Sequence, residues 1–317
     1  MRKAKWSLAL VTAAAAASFG PSAHGATIYE PFDYDSGVSL TSGLGAGDGF
    51  AAGQTWGGGA GAAYTITAGG LSLGSLSTSG RAVSGSTTAG ITAGRQVGVA
   101  LTGDVFASYL FNIAARPTGS VGNFAEVRVH TSQAGAGSAS GVHFRMEADQ
   151  HNGGATPKPG ISYEGINDTA ATVGSSTPAT GTTYIYLAKF TNVGETLGAV
   201  NTASATMWIL TADQFDHFRA GGLTEGELNG APLGTGATDV FDRTSDGSVA
   251  AGTFSLNTSN YVQLATLGTG GNPTSITYDE LRFGVTLDDV TPVPEPAGLA
   301  SLAAVAVAGL LRRRRAR

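Results

Sequence analysis

Along the stretch GVHFRMEAD, Val142, Phe144, Met146 and Ala148 alternate with His143, Arg145, Glu147 and Asp149. A period of two puts one set on each side of a pleated strand and excludes an amphipathic helix. The same alternation returns in FAEVRVHTS, where Ala125, Val127 and Val129 oppose Glu126, Arg128 and His130, and in DELRFGVTL, where Leu281, Phe283 and Val285 share a side. VFASYLFNIA and TYIYLAKF are apolar on both sides and read as central strands. Clusters of Gly, Ser and Asn separate the runs, and the chain holds 48 glycines, which suits many tight turns. The pattern predicts an antiparallel β-sandwich with one face of each sheet buried.

One helix interrupts the strands. In LTADQFDHFRAGG, Thr211 is placed to cap, Gln214 to answer it from the third helical position, and Gly221 to close the end. Phe215 and Phe218 fall on one face, and the helix is expected to lie on the sandwich together with LTEGELNG.

The two ends of the chain differ from its body. Arg2, Lys3 and Lys5 precede an apolar, alanine-rich run from Trp6 to Phe19. Pro21 breaks that run, and Ala23-His24-Gly25 fits a small-x-small cleavage site, so residues 1–25 read as a secretory signal peptide. At the other end, Pro294, Glu295 and Pro296 precede an uncharged apolar run from Ala297 to Leu311, and Arg312, Arg313, Arg314 and Arg315 follow at once. Such a run spans roughly 22 Å as a helix, against about 30 Å of hydrocarbon, which makes it a marginal and temporary anchor. The arginines hold its end on the cytoplasmic side and place the body across the membrane.

This tail resembles the PEP-CTERM sorting signal of Gram-negative bacteria. The resemblance implies recognition by an exosortase after Sec export, and removal of the tail near the Pro-Glu-Pro triplet. It further implies a destination in the cell envelope or extracellular matrix. In the body, ATIYEPFDYDSGVSL, TYIYLAKFTN, ATMWIL, FRAGGLTEGELNGA and YDELRFGVTLDDVTP are similar to concanavalin A-like (LamG-type) jelly-roll proteins, as found in planctomycetes and related bacteria. The expected organisation is a signal peptide over residues 1–25, an all-β, two-sheet antiparallel jelly-roll sandwich over 26–291 with a short helical excursion, and a transmembrane sorting tail over 292–317.

Composition narrows the function classes. The formal charge is −5 and charged residues are 13% of the chain, most of the positive ones lying at the two ends, so no basic footprint for nucleic acid exists. No cysteine is present, which excludes disulfides and thiol chemistry. No Gly-Lys dipeptide occurs, which excludes a Walker loop, and no His-Glu-x-x-His occurs for zinc. His130, His143, His151 and His217 are expected on the surface.

Several stretches remain as candidates. EADQHN partly matches the Glu-x-Asp-x-x-Glu of laminarinase-type jelly rolls: Glu147 and Asp149 agree, but Asn152 stands where the second Glu belongs. Retaining hydrolysis needs two carboxyl groups, so a solvated polar strand face is the expectation and no enzyme is predicted. GLSLG, residues 70–74, has the letters of a nucleophile elbow without the strand-turn-helix context. Asp33 and Asp35 in FDYDSG, and Asp242 and Asp246 in FDRTSDG, supply oxygen ligands suited to Ca²⁺, the one candidate cofactor; turn-forming carboxylates are the alternative. Trp56, among glycines in GQTWGGGAG, is a candidate exposed platform for a sugar ring, with a packed loop residue as the alternative. Trp208, between Met207 and Ile209, reads as core. The functional expectation is a non-catalytic, lectin-like module associated with extracellular polysaccharide. A structural matrix protein with protein partners is the alternative, and a glycoside hydrolase the third.

Overall fold

A computed structural model describes residues 27–58, 64–76, 78, 80–87, 90–116, 124–133, 142–150, 158–163, 172–198, 202–249, 252–267 and 274–291. The segments read as signal peptide and sorting tail lie outside the described residues. Among those described, no helix is long and apolar enough to cross a membrane.

In chain order the first strands are β1 (Ile28–Glu30), β2 (Gly57–Gly58), β3 (Tyr64–Ile66), β4 (Val83–Thr87), β5 (Gly90–Gln96), β6 (Gly103–Ala115), β7 (Phe124–His130), β8 (Val142–Gln150) and β9 (Lys158–Tyr163). There follow β10 (Thr172–Val173), β11 (Thr183–Val193), β12 (Thr196–Leu197), β13 (Ala203–Leu210), β14 (Asp242–Val249), β15 (Gly252–Thr253), β16 (Tyr261–Leu267) and β17 (Thr274–Gly284). Three short helices are described: α1 (Ala212–Gly221), α2 (Glu225–Gly230) and α3 (Leu287–Val290). One sheet runs β14-β13-β11-β6-β17-β4-β3, with β1 also paired to β17; the other runs β10-β9-β8-β7-β16-β5-β2. β6 and β11, the strands apolar on both sides, are indeed central in the first sheet.

The two sheets close on one core. Tyr109, Tyr186 and Phe190 from the first sheet meet Val127, Val129, Phe144, Met146 and Leu264 from the second. A buried phenol needs a partner for its hydroxyl. Tyr109 donates to the Met146 carbonyl at 2.8 Å and Tyr186 to the Gly160 carbonyl at 2.5 Å, so the tyrosines of one sheet are fastened to the backbone of the other. Burial raises both phenols well above their usual range.

The expectation that each sheet buries one face is corrected for the first sheet. Its far side carries a second apolar cluster, in which Phe106, Leu110, Ile185, Leu187, Trp208 and Leu210 pack against Phe215, Phe218, Leu223 and Leu228 of the helical layer. That layer explains why β6, β11 and β13 are apolar on both sides. Trp208 belongs to this second cluster, its Nε1 donating to Asn229 Oδ1 at 3.0 Å. Thr211 and Gln214 form the capping box as expected, but the left-handed cap is Gly222, with φ 107°; Gly221 is the last helical residue. Thr224 with Glu227, and Thr286 with Asp289, repeat the device at α2 and α3.

β17 is bent in the middle. β4 pairs with its first half and β1 with its second, and the register with β6 shifts between Asp279 and Arg282. Glu280 at this bulge has φ 52°, a conformation unfavourable for a side chain of its length. Tyr29 holds its carboxylate from β1 at 3.0 Å and Arg282 holds it from two residues on. Asp279 accepts the backbone N–H groups of Leu71 at 2.7 Å and Glu280 at 2.8 Å.

Candidate functional site

The pleat of the second sheet sends Val127, Val129, Phe144, Met146 and Leu264 inward and leaves Glu126, Arg128, Arg145, Glu147 and Gln263 on the outer face. Register aligns them into rungs. Gln263, Arg128, Arg145 and Ser162 stand opposite one another across β16, β7, β8 and β9. In the next outward rung Ala265, Glu126, Glu147 and Gly160 do the same. Two arginines directly opposed would repel; interleaved glutamates resolve this into an alternating chain. Arg128 Nη1 lies 3.0 Å from Glu126 Oε1, Glu126 Oε2 lies 3.4 Å from Arg145 Nε, and Arg145 Nη1 lies 3.6 Å from Glu147 Oε1. Gln263 Oε1 accepts from Arg128 Nε at 2.7 Å.

This row is not the solvated polar face expected from the alternation. None of the four charged side chains is more than 4% exposed. Part of the cover comes from the chain just after β7. Gln263 donates to the Ser132 carbonyl, Ser132 N–H donates to His130 Nδ1 at 2.9 Å, and Gln133 Nε2 donates to the Thr55 carbonyl at 3.1 Å. Thr131–Gln133 therefore crosses β16 and β5 on their outer side. His130, expected on the surface, is buried beneath it, and its Nδ1 accepts the Ser132 N–H. The crossing depends on Gly94, where an added methyl would stand 2.5 Å from the Gln133 carbonyl oxygen. Gly94→Ala is expected to cost about 1–3 kcal/mol by overpacking, read as a lowered midpoint in urea unfolding. An unchanged midpoint would show that the segment does not rest on β5.

The partial glucanase pattern is broken in space. The register of β8 shifts between Glu147 and Gln150, so alternation fails there. Glu147 joins the outer row, whereas Asp149 pairs at 3.0 Å with Arg116, which follows β6 in the other sheet. His151 and Asn152 lie outside the described residues. The carboxylate opposite Glu147 is Glu126, from a different strand. Cross-strand partners have Cβ atoms about 4.5–5.5 Å apart, near the spacing of a retaining pair. Both glutamates, however, approach the one guanidinium of Arg145. Each is thereby held in a buried ion pair.

Trp56 corrects the expectation of an exposed ring. It is 1% exposed, packed between Phe32 and Phe50 with ring centroids at 5.9 and 6.2 Å. Its Nε1 donates to Glu30 Oε2 at 2.9 Å, and this buried carboxylate draws the indole inward past the flanking glycines. No face of the ring is open to a sugar. Asp33 and Asp35 are exposed on the turn before Gly37. Asp242 instead accepts from the backbone of Ser175 and Ser176, and Asp246 from the backbone of Tyr163, so both tie neighbouring segments. Among the described residues no three Asp, Glu, His or Cys side chains are grouped as metal ligands. Ser72 of GLSLG is exposed in irregular chain, with no helix following. A hollow of about 660 Å³ beside α1 and α2 gathers His217 and Glu227 as its titratable groups.

No family model matches the sequence, and no curated protein is similar to it. Solved structures resemble it only loosely. Lectin II from Ulex europaeus is 10% identical over 81% of this chain and 97% of its own, with a TM-score of 0.45. The globular domain of T. cruzi calreticulin is 10% identical over 90% and 98%, with a TM-score of 0.41. The endo-β-1,4-glucuronan lyase of the fungus Trichoderma reesei is 12% identical over 71% and 91%, with a TM-score of 0.39. Likenesses of this depth carry nothing about ligand or activity.

Proposed function

We propose that the chain is an exported, non-catalytic protein of the cell envelope or extracellular matrix, whose jelly-roll sandwich is a lectin-like module associated with polysaccharide. The destination rests on the two ends: a leader cleaved after Ala23-His24-Gly25, and a tail with Pro294-Glu295-Pro296 and Arg312 to Arg315 for an exosortase. The binding role rests on one observation, the two antiparallel sheets closed on one core, which is the jelly-roll architecture that the resemblance of the body implies for glycan- or protein-binding modules. The absence of catalysis rests on Arg145, which both facing glutamates share. The burial of the charged row on the second sheet favours a second reading, a structural matrix protein in which the charges serve only to fasten strands.

Affinity electrophoresis of the processed protein in the host's own polysaccharide, with and without Ca²⁺, separates the two. Retention supports the module; migration unchanged in both conditions leaves the structural reading. Intact mass from the native host is expected to lack the leader and the arginines, and a mature chain that keeps them would overturn the sorting route. No reducing sugar is expected from laminarin. Release abolished by Glu147→Gln or Glu126→Gln would make the protein a hydrolase.

A further inference from the structure

The open hollow beside α1 and α2, about 660 Å³, falls within the roughly 300–1,000 Å³ of ordinary small-ligand sites. The ends of both helices line it with short residues, among them Ala220 and Gly221 of α1 and Gly230 of α2, and Phe218 adds an apolar patch. Three polar side chains line the same space: His217, Glu227 and Thr238. Glu227 is held in place. Its Oε2 accepts from the N–H and the hydroxyl of Thr224 in the capping box of α2, both at 3.1 Å. Its Oε1 accepts no hydrogen bond from the described residues and lies 3.1 Å from where a side chain on Gly221 would begin. The His217 ring stands edge-on to Phe218 with centroids 5.4 Å apart, and its nitrogens bond to none of the described residues. His217, Gly221 and Glu227 are exposed, so a ligand reaches them without movement of the chain.

We propose that this hollow seats one uncharged sugar ring of a polysaccharide, an inference that rests on the polysaccharide-binding reading and places the contact on the helical layer rather than on a sheet. The lining selects the class. A pyranose ring joins an apolar C–H face to a rim of hydroxyls. Phe218 and Ala220 suit the face. For the rim, a carboxylate oxygen accepts from hydroxyls, and a neutral imidazole and a threonine hydroxyl each donate and accept. A wholly apolar ligand would strip water from Glu227 and His217 and return no hydrogen bond. An anion would find no Lys or Arg in the lining and one carboxylate against it. A divalent cation such as Ca²⁺ takes about six to eight oxygen ligands, and the lining supplies a single carboxylate. One open seat binds weakly, and a polymer of many identical rings raises retention through effective concentration.

The test is affinity electrophoresis of the full chain in laminarin and, separately, in polygalacturonate, for the native sequence, His217→Ala, Glu227→Gln and Gly221→Leu. His217→Ala removes an exposed ring with no hydrogen bond to the described residues, and Glu227→Gln keeps the capping box while turning the open acceptor into a donor. Gly221→Leu fills the hollow without removing a polar group, at a helical position where leucine is favoured over glycine. All three should unfold at the native urea midpoint, while affinity for laminarin falls about 5- to 10-fold in the first two and at least as far in Gly221→Leu. Retention by laminarin that is equal in all four proteins overturns the seat and leaves the polysaccharide reading standing. Stronger retention by polygalacturonate overturns the uncharged class. Unchanged migration of the native protein in laminarin overturns the seat, and unchanged migration in the host's own polysaccharide as well overturns the binding reading with it.

Discussion

Glu30→Ala is expected to lower the unfolding free energy by about 3–5 kcal/mol, the cost of leaving a buried cation without its partner. Glu30 is buried at the end of β1, yet four donors converge on it: Phe32 N–H, Tyr34 hydroxyl and Trp56 Nε1 at 2.9 Å, and Arg95 Nη1 at 3.0 Å. β1 belongs to the first sheet and Arg95, on β5, to the second, so this one carboxylate joins the two sheets and the long loop between them. Arg95 also donates to the carbonyls of Gly45, Ala46 and Gln54 and lies 4.1 Å over the Phe50 ring. Removing the carboxylate leaves the guanidinium without its counter-charge and frees the indole that seals the loop. Glu30→Gln keeps one acceptor and should recover part of the loss. Urea unfolding at constant m measures both, and a double-mutant cycle with Arg95→Ala should return a coupling above about 1 kcal/mol. A loss below about 1 kcal/mol for Glu30→Ala would mean the carboxylate does not join the sheets.

Stability is also expected to fall between about pH 4 and pH 8 because of Asp279. Burial at the bulge of β17 pushes its carboxyl up to about 8, assisted by the neighbouring Glu280 carboxylate and opposed by the Leu71 N–H. The folded protein thus keeps a proton that the unfolded chain has lost. Below about pH 4 both states are protonated and the preference is fully present. Between the two values each pH unit removes about 1.4 kcal/mol, and above about 8 both states are ionised and the loss levels off. The total is on the order of 5 kcal/mol at most. Other carboxylates titrate too, so the decisive quantity is the difference from Asp279→Asn, which carries no proton to lose. The native protein should lose stability relative to Asp279→Asn as pH rises from 4 to 8. A difference independent of pH would sink the assignment.

Much of the fold is legible in local sequence. Which side Phe144, Met146 and Val127 face follows from a period of two, because a strand's side chains must alternate wherever one face is buried. The helix from Ala212 follows from Thr211 and Gln214, because a capping box satisfies donors within four residues of chain. Trp208 could be placed in an apolar interior from its neighbours, though not in which of the two clusters. α3 was missed, although Thr286 and Asp289 carry the same signal as the other two helices.

The site was much less legible. Glu147 and Asp149 look like a pair in the sequence, and one shifted register sends them to different partners. Glu126, the carboxylate that does face Glu147, carries no motif, because its role comes from strand pairing. The exposure of Trp56 could not be read from its glycines, since a carboxylate at the far end of a loop decides where the indole goes.

The sequence by itself determined the strands and their inward faces and the capped helix at Thr211. These depend on neighbours along the chain, and the physics that governs them acts over a few residues. The tertiary structure alone decided that the first sheet is covered on both faces, that Trp56 is sealed by Glu30, and that Arg145 sits between two glutamates and beside Ser162. Each of these joins residues from separate strands or loops, and burial and charge pairing act on whatever the folded chain brings together.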